Sequence, residues 1–148
     1  MIFQLFATAP LLSAKSIRAC VESLINKPNH DSIFTATEER GWFWCQDLPV
    51  NFRPSILPRS QDAVPVVKET TGLYGMRREA LQRYHQRIGA KPYIYMVEPE
   101  EAMDIDTETD WYMAELVARE RKIDTKIFND LKEVEVLDQL QQGLKVKM

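Results

Sequence analysis

The sequence predicts an α/β fold: a three-layer α/β/α domain with a mostly parallel sheet, incomplete on its N-terminal side. Two observations carry this. Strand-like residues Ile2 to Ala7 are followed by an amphipathic helix pattern and then by a second strand pattern at Asp31 to Thr37, the spacing of a βαβ unit. The first run shows little polar alternation, as in a strand covered on both faces of a parallel sheet. Such a strand needs sheet neighbours, and only two or three further strand patterns follow. The expectation is that preceding βα units are missing or that another chain supplies them.

Each element has a local reason. Thr8-Ala9-Pro10 ends the first strand, and Ser13 is placed to cap a helix from Ala14 to Asn26. In that helix Ile17, Cys20, Val21, Leu24 and Ile25 share one face. Gly41 to Cys45 reads as a short aromatic strand, and four prolines follow between Gln46 and Pro65, as in a functional or interface loop. Val66-Val67-Lys68 and Leu73-Tyr74 read as strands around Thr70-Thr71-Gly72. Arg77 to Ile88 reads as a helix ended by Gly89, and Pro92 to Val97 as a strand. After the acidic loop from Glu98 to Asp106, Thr107 and Asp110 have the spacing of a capping box. A last helix is predicted from Ile123, breaking near Gly143.

With 148 residues the chain fits one domain, and its net charge of -3 gives no reason to expect nucleic acid as a partner. No apolar run is long enough to span a membrane, and the N-terminus lacks the basic segment of a signal peptide. The expected location is the cytoplasm. The two cysteines, Cys20 and Cys45, read as reduced core thiols, and with only His30 and His85 besides a structural zinc site is not expected.

Three constellations could carry chemistry. Asp104 and Asp106 lie two apart between a strand and a capped helix. In an extended segment both carboxylates point one way, which suits a hard cation such as Mg²⁺. Three other readings stand beside this one: charges favouring a helix N-terminus, a solvated loop, or a calcium loop. For the last, Thr109 occupies the position that needs Gly. The second constellation is Pro58-Arg59-Ser60-Gln61-Asp62, where Arg59 could pair with a phosphate or carboxylate, or be an ordinary surface arginine. The third is Glu69 to Tyr74, where Thr70, Thr71 and Gly72 could admit a ligand close to the backbone or form a plain turn. Arg77, Arg78, Arg83, Arg87 and Lys91 read as a solvated helix face. Trp42 and Trp44 fit either an interface or a core.

Taken together, the chain resembles the acylneuraminate cytidylyltransferases, the CMP-sialic acid synthetase group, from Met1 to about Glu120. Phe6-Ala7-Thr8-Ala9-Pro10-Leu11 corresponds to that family's Gln-Pro-Thr-Ser-Pro-Leu-like turn. Pro58-Arg59-Ser60-Gln61 corresponds to its Pro-Arg-x-Gln stretch, and Thr70-Thr71-Gly72-Leu73-Tyr74 to its Asn-Gly-Ala-Ile-Tyr-like strand. Asp104-Ile105-Asp106-Thr107-Glu108-Thr109-Asp110 corresponds to its Asp-Ile-Asp-Thr-Glu-x-Asp motif.

The resemblance implies a nucleotide-diphospho-sugar-transferase-like domain over residues 1–120 and a C-terminal helical extension over 121–148. It implies transfer of CMP from CTP to a 2-keto sugar acid, with pyrophosphate leaving and Mg²⁺ as cofactor. By the same resemblance Asp104 and Asp106 hold the metal, Asp106 and Arg59 are catalytic, and Gln61, Thr70, Thr71 and Tyr74 meet the substrate. Gln4 points to the same face as Phe6, which replaces the family's Gln. Residues 41–65 correspond to a dimerisation arm, so a homodimer is implied.

The sequence departs from the family at Phe6, Ala9, Leu12 and Thr70, which leaves the identity of the sugar open. The family's Gly-rich basic loop, which cradles the CTP phosphates, has no counterpart among these residues: no two of the five glycines are adjacent. Two expectations follow, a cytidylyltransferase or part of one, and a non-catalytic sugar-acid-binding or dimerising module.

Overall fold

A computed structural model describes residues 1–121. The helix predicted from Ile123 lies outside the described residues. The elements are β1 (Ile2–Leu5), α1 (Ala14–Asn26), β2 (Ser32–Glu39), β3 (Trp44–Cys45), β4 (Leu48–Pro49), β5 (Val66–Met76), α2 (Arg78–Tyr84), β6 (Pro92–Met96) and α3 (Glu108–Glu120). Four strands form one sheet in the order β1-β5-β2-β6, and β3 and β4 form a small hairpin.

The α/β class is correct, but the sheet is mixed rather than mostly parallel. β1 and β2 each pair with β5 in antiparallel fashion, and only β2 and β6 pair in parallel. The cause is the connection. β1, α1 and β2 form a crossover unit, so β1 and β2 run the same way. The chain then returns from β2 to β5 through the hairpin and the proline-rich stretch, with no crossover helix, and β5 enters between them running the other way.

β1 lies at one end of the sheet formed by the described residues. Among the described residues it pairs only with β5, and Ile2 and Leu5 are about half exposed at 51% and 50%.

α1 covers one sheet face, where Cys20, Leu24, Ile33 and Leu73 are fully buried. Each large side chain buried there contributes roughly 1.5–3 kcal/mol. Ser13 caps this helix as predicted, accepting from the Ser16 N–H at 3.1 Å. Its C-terminus is closed by Arg77, which donates to the carbonyls of Leu24 (2.5 Å), Lys27 (3.4 Å) and His30 (2.9 Å). Arg77 thus belongs to the framework and not to a solvated basic face. The opposite sheet face carries Phe34, Ala36 and Tyr74 with Phe6 and Ile88 against them.

Three local expectations are corrected. β5 is one strand of 11 residues and not two strands around a turn. Its pairing with β2 jumps from Phe34↔Tyr74 to Ala36↔Glu69, so residues 70–73 bulge opposite Thr35. The Thr70 hydroxyl donates to the Thr35 carbonyl (3.0 Å) and hydroxyl (2.7 Å), and Thr35 Oγ1 accepts from the Leu73 N–H (3.1 Å). These bonds replace the missing ladder.

α2 stops at Tyr84, and His85 rather than Gly89 takes the left-handed cap at φ 53°. Gly89 is required for another reason: a Cβ there would lie 2.4 Å from Asp31 Oδ1. The Asp31 carboxylate receives the N–H groups of Ala90 and Lys91 at 2.9 and 3.0 Å. Finally, Cys45 is exposed on β3, so only Cys20 is a core thiol. Burial, with a smaller contribution from the Glu101 charge, pushes the Cys20 thiol up to about 12.

Candidate active site

Two clefts share Glu69 at the bulge of β5. The larger, of about 550 Å³, is lined by the end of β2, the start of β5 and the Pro99–Asp110 segment, including Thr70, Thr71, Asp104, Asp106 and Asp110. The smaller, of about 380 Å³, is lined by Glu69, Tyr74, His85, Gln86, Arg87 and Ile88.

Both aspartates of the Asp104-Ile105-Asp106 segment line the larger cleft. Two contacts hold the segment there. The Ile105 N–H donates to the Thr8 carbonyl at 2.8 Å, tying the loop to the turn after β1. Thr71 Oγ1 donates to Asp104 Oδ2 at 2.5 Å. The second carboxylate oxygen, Asp104 Oδ1, is buried with no hydrogen-bond partner among the described residues. A buried oxygen of this kind is costly unless something pairs with it. Asp106 is exposed at the mouth.

The capping box at α3 is formed as predicted. Thr107 Oγ1 accepts from the Asp110 N–H, and Asp110 Oδ2 accepts from the Thr107 N–H at 2.8 Å. The Thr107 side chain, followed by its backbone N–H, holds the Asp110 carboxyl below the usual carboxylate range. Asp110 is thus charged and engaged by the cap, while Asp104 Oδ1 has no hydrogen-bond partner among the described residues.

Glu38, Glu39 and Glu69 add to the acidic lining, and Lys68 is its one Lys or Arg. Lys68 is paired with Glu39 at 3.0 Å. A cleft this acidic repels a phosphate or a carboxylate unless a cation enters with it. Among the described residues no three His, Cys, Asp or Glu side chains gather around a common point. The oxygen donors at this cleft are carboxylates and hydroxyls, the type a hard cation such as Mg²⁺ takes.

The predicted substrate residues divide. Thr70, Thr71 and Tyr74 border the two clefts. The Thr70 hydroxyl is engaged with Thr35, and the Tyr74 hydroxyl donates to Glu69 Oε1. Burial, then the bond to Glu69 and the Glu69 charge, push the Tyr74 phenol up to about 12, while Arg87 opposes the shift. Gln4 sits opposite Tyr74 in the β1–β5 register, hence on the same sheet face.

Arg59 and Gln61 are elsewhere. Both are exposed on the stretch between β4 and β5 and line neither cleft. Arg59 pairs with Asp62 at 2.6 Å. Two lining residues carried no sequence signal. Glu69 lay inside a segment read for its threonines, and Arg87 was one of five basic residues with nothing to single it out.

No family model matches the chain. Over 123 aligned residues it is 32% identical to N-acylneuraminate cytidylyltransferase A of Danio rerio, covering 78% of this chain and 28% of that protein. It is 28% identical to N-acylneuraminate cytidylyltransferase of Oncorhynchus mykiss, with the same coverage. The class defined by these names is nucleotidyltransferase. The chain is similar to these two cytidylyltransferases over the matched residues, and it spans 28% of the length of these curated relatives.

Proposed function

We propose that this chain carries the metal-binding and acceptor end of a site that transfers CMP from CTP to a 2-keto sugar acid of the sialic acid type. The observation that carries the reading is Asp104: one oxygen fixed by Thr71, the other buried and unpartnered, in a cleft shared with Asp106. Mg²⁺ bound there supplies charge neutralisation between the acidic wall and the α-phosphate, and a fixed point for aligning nucleophile and phosphorus.

The protein's own residues set the geometry. Thr71 fixes the rotation of the Asp104 carboxylate, and the Ile105 N–H bonded to Thr8 fixes the loop. Asp106, at the mouth, stands where an incoming sugar hydroxyl and a phosphate would meet. Arg59 and Gln61 join this site only if the arm of one protomer reaches another. The exposed Trp44, Leu48 and Ile56 on residues 41–65 support a homodimer built on that arm.

The test is a chimaera in which residues 1–120 replace the matched segment of the Danio rerio relative. CMP transfer from CTP to N-acetylneuraminate is expected, falling at least roughly 100-fold with Asp106→Ala, as for loss of a group stabilising transition-state charge. Equal activity of the chimaera and its Asp106→Ala form contradicts the metal role. A chimaera that binds the sugar acid yet forms no CMP-sugar favours a binding module without transfer.

A further inference from the structure

Asp104 is gripped by a residue of the β5 bulge, and the bulge is itself held by one side chain of β2. Between the pairs Phe34↔Tyr74 and Ala36↔Glu69, residues 70–73 face Thr35 alone. A bulge re-aims the side chains that it carries. Here it carries Thr71, whose hydroxyl donates to Asp104 Oδ2 at 2.5 Å.

Thr35 brackets Thr71 from both directions along the strand. Thr35 Oγ1 lies 2.7 Å from Thr70 Oγ1 and accepts from the Leu73 N–H at 3.1 Å. The Thr35 carbonyl accepts from the Thr70 hydroxyl at 3.0 Å. Thr35 is fully buried, and its backbone is fixed from the other side by the parallel ladder, where it is the partner of Tyr95. Leu73 is fully buried as well. Its N–H therefore has no water to turn to when the Thr35 hydroxyl is removed, and the bulge must rearrange or leave a donor unpaired. Thr35 does not line the cleft, so its hydroxyl reaches Asp104 only through the strand that it pins.

We propose that Thr35 is a positioning residue for the Asp104 loop. By pinning residues 70 and 73 it holds the Thr71 hydroxyl against Asp104, and so sets how Asp104 Oδ1 is presented to a cation. The inference rests on the reading of Asp104 and Asp106 as a divalent-cation site. It extends that site to a buried threonine which no sequence motif marked.

The test is Mn²⁺ titration of the full chain, comparing wild type with Thr35→Val, Thr35→Ser, Thr71→Val and the Thr35→Val/Thr71→Val double variant. Valine keeps the branched shape and removes the hydroxyl, whereas serine keeps the hydroxyl. Thr35→Val and Thr71→Val are each expected to weaken Mn²⁺ binding about 10-fold, the scale of losing a partner that orients a metal ligand. Thr35→Ser should bind as wild type does. The double variant should bind within about 2-fold of either single one, because both substitutions break the same link. Unchanged affinity in Thr35→Val overturns the proposal, as do losses that multiply in the double variant. Thr70→Val loosens the same bulge while leaving the Leu73 N–H paired, and it carries the test if Thr35→Val does not fold. The same weakening is expected there, and unchanged affinity overturns the proposal.

Three-bond couplings across the Thr71 Cα–Cβ bond, measured without metal, separate the two readings. A single Thr71 rotamer in wild type that becomes averaged in Thr35→Val is expected. If the wild-type chain binds no Mn²⁺ but shows that change, the metal reading fails and Thr35 still positions the Asp104 loop. An identical Thr71 rotamer in both proteins overturns the positioning role and leaves the metal reading standing wherever Mn²⁺ binds.

Discussion

At the scale of single residues, the chemistry rests on what each polar atom is left to do. Asp104 and Thr71 were both visible as candidates, because an Asp-x-Asp segment and a hydroxyl pair beside glycine are recognisable types. That Thr71 would grip one oxygen of Asp104 across 33 positions was not visible, since the contact exists only once β5 bulges. Tyr74 shows the same division. Its place in a strand was readable, but its bond to Glu69 and its contact with Arg87 follow from tertiary position.

Tyr74 also gives a pH prediction with a definite sign. Its phenol is pushed up to about 12 in the folded chain, against about 10 when unfolded. The folded state thus holds its proton where the unfolded state releases it. The stabilisation is fully present below pH 10 and is lost as pH rises from about 10 through 12. Denaturant unfolding across that range should show a steeper loss for wild type than for Tyr74→Phe. Parallel curves for the two proteins would contradict the assignment.

At the scale of elements, local signals did well and pairing signals did poorly. The Ser13 cap, the α1 face and the Thr107–Asp110 box were legible because they depend on residues within four positions of one another. The direction of β5 was not, because an apolar run reads the same in a parallel or an antiparallel pairing. The Thr70-Thr71-Gly72 stretch resembled a turn and is instead a bulge, and Thr35, thirty-five positions earlier, makes the difference.

β5 has one point of steric necessity. Gly75 lies between Phe3 and Ile33, and a Cβ there would come within 2.4 and 2.7 Å of their side chains. Gly75→Ala should therefore cost about 1–3 kcal/mol through overpacking, read as a lower denaturant midpoint at unchanged slope. A change below about 0.5 kcal/mol would mean that β1 moves aside freely, as expected only of a strand held by little more than its β5 ladder.

At the scale of the whole molecule, the fold brings two unlike clefts together. α1 anchors one face of the sheet, and the bulge in β5 turns Glu69, Thr70 and Thr71 toward the Asp104–Asp106 loop. One cleft is acidic; its neighbour holds an arginine over the rings of Phe6 and Tyr74. The resemblance was legible from ordered motifs over residues 1–120, and the chain is 32% and 28% identical to the two fish proteins over the matched residues. That Arg59 would line neither cleft was not legible, because a motif's order along a chain does not fix where its residues lie in the fold.

The central claim is that Asp104 and Asp106 together hold a divalent cation. The direct measurement is Mn²⁺ titration of the full chain followed by water-proton relaxation, compared with Asp104→Asn and Asp106→Ala. Saturable binding that weakens at least roughly 10-fold in each variant is predicted, in line with the loss of one carboxylate from an open two-carboxylate site. Binding of equal strength in all three proteins would contradict it.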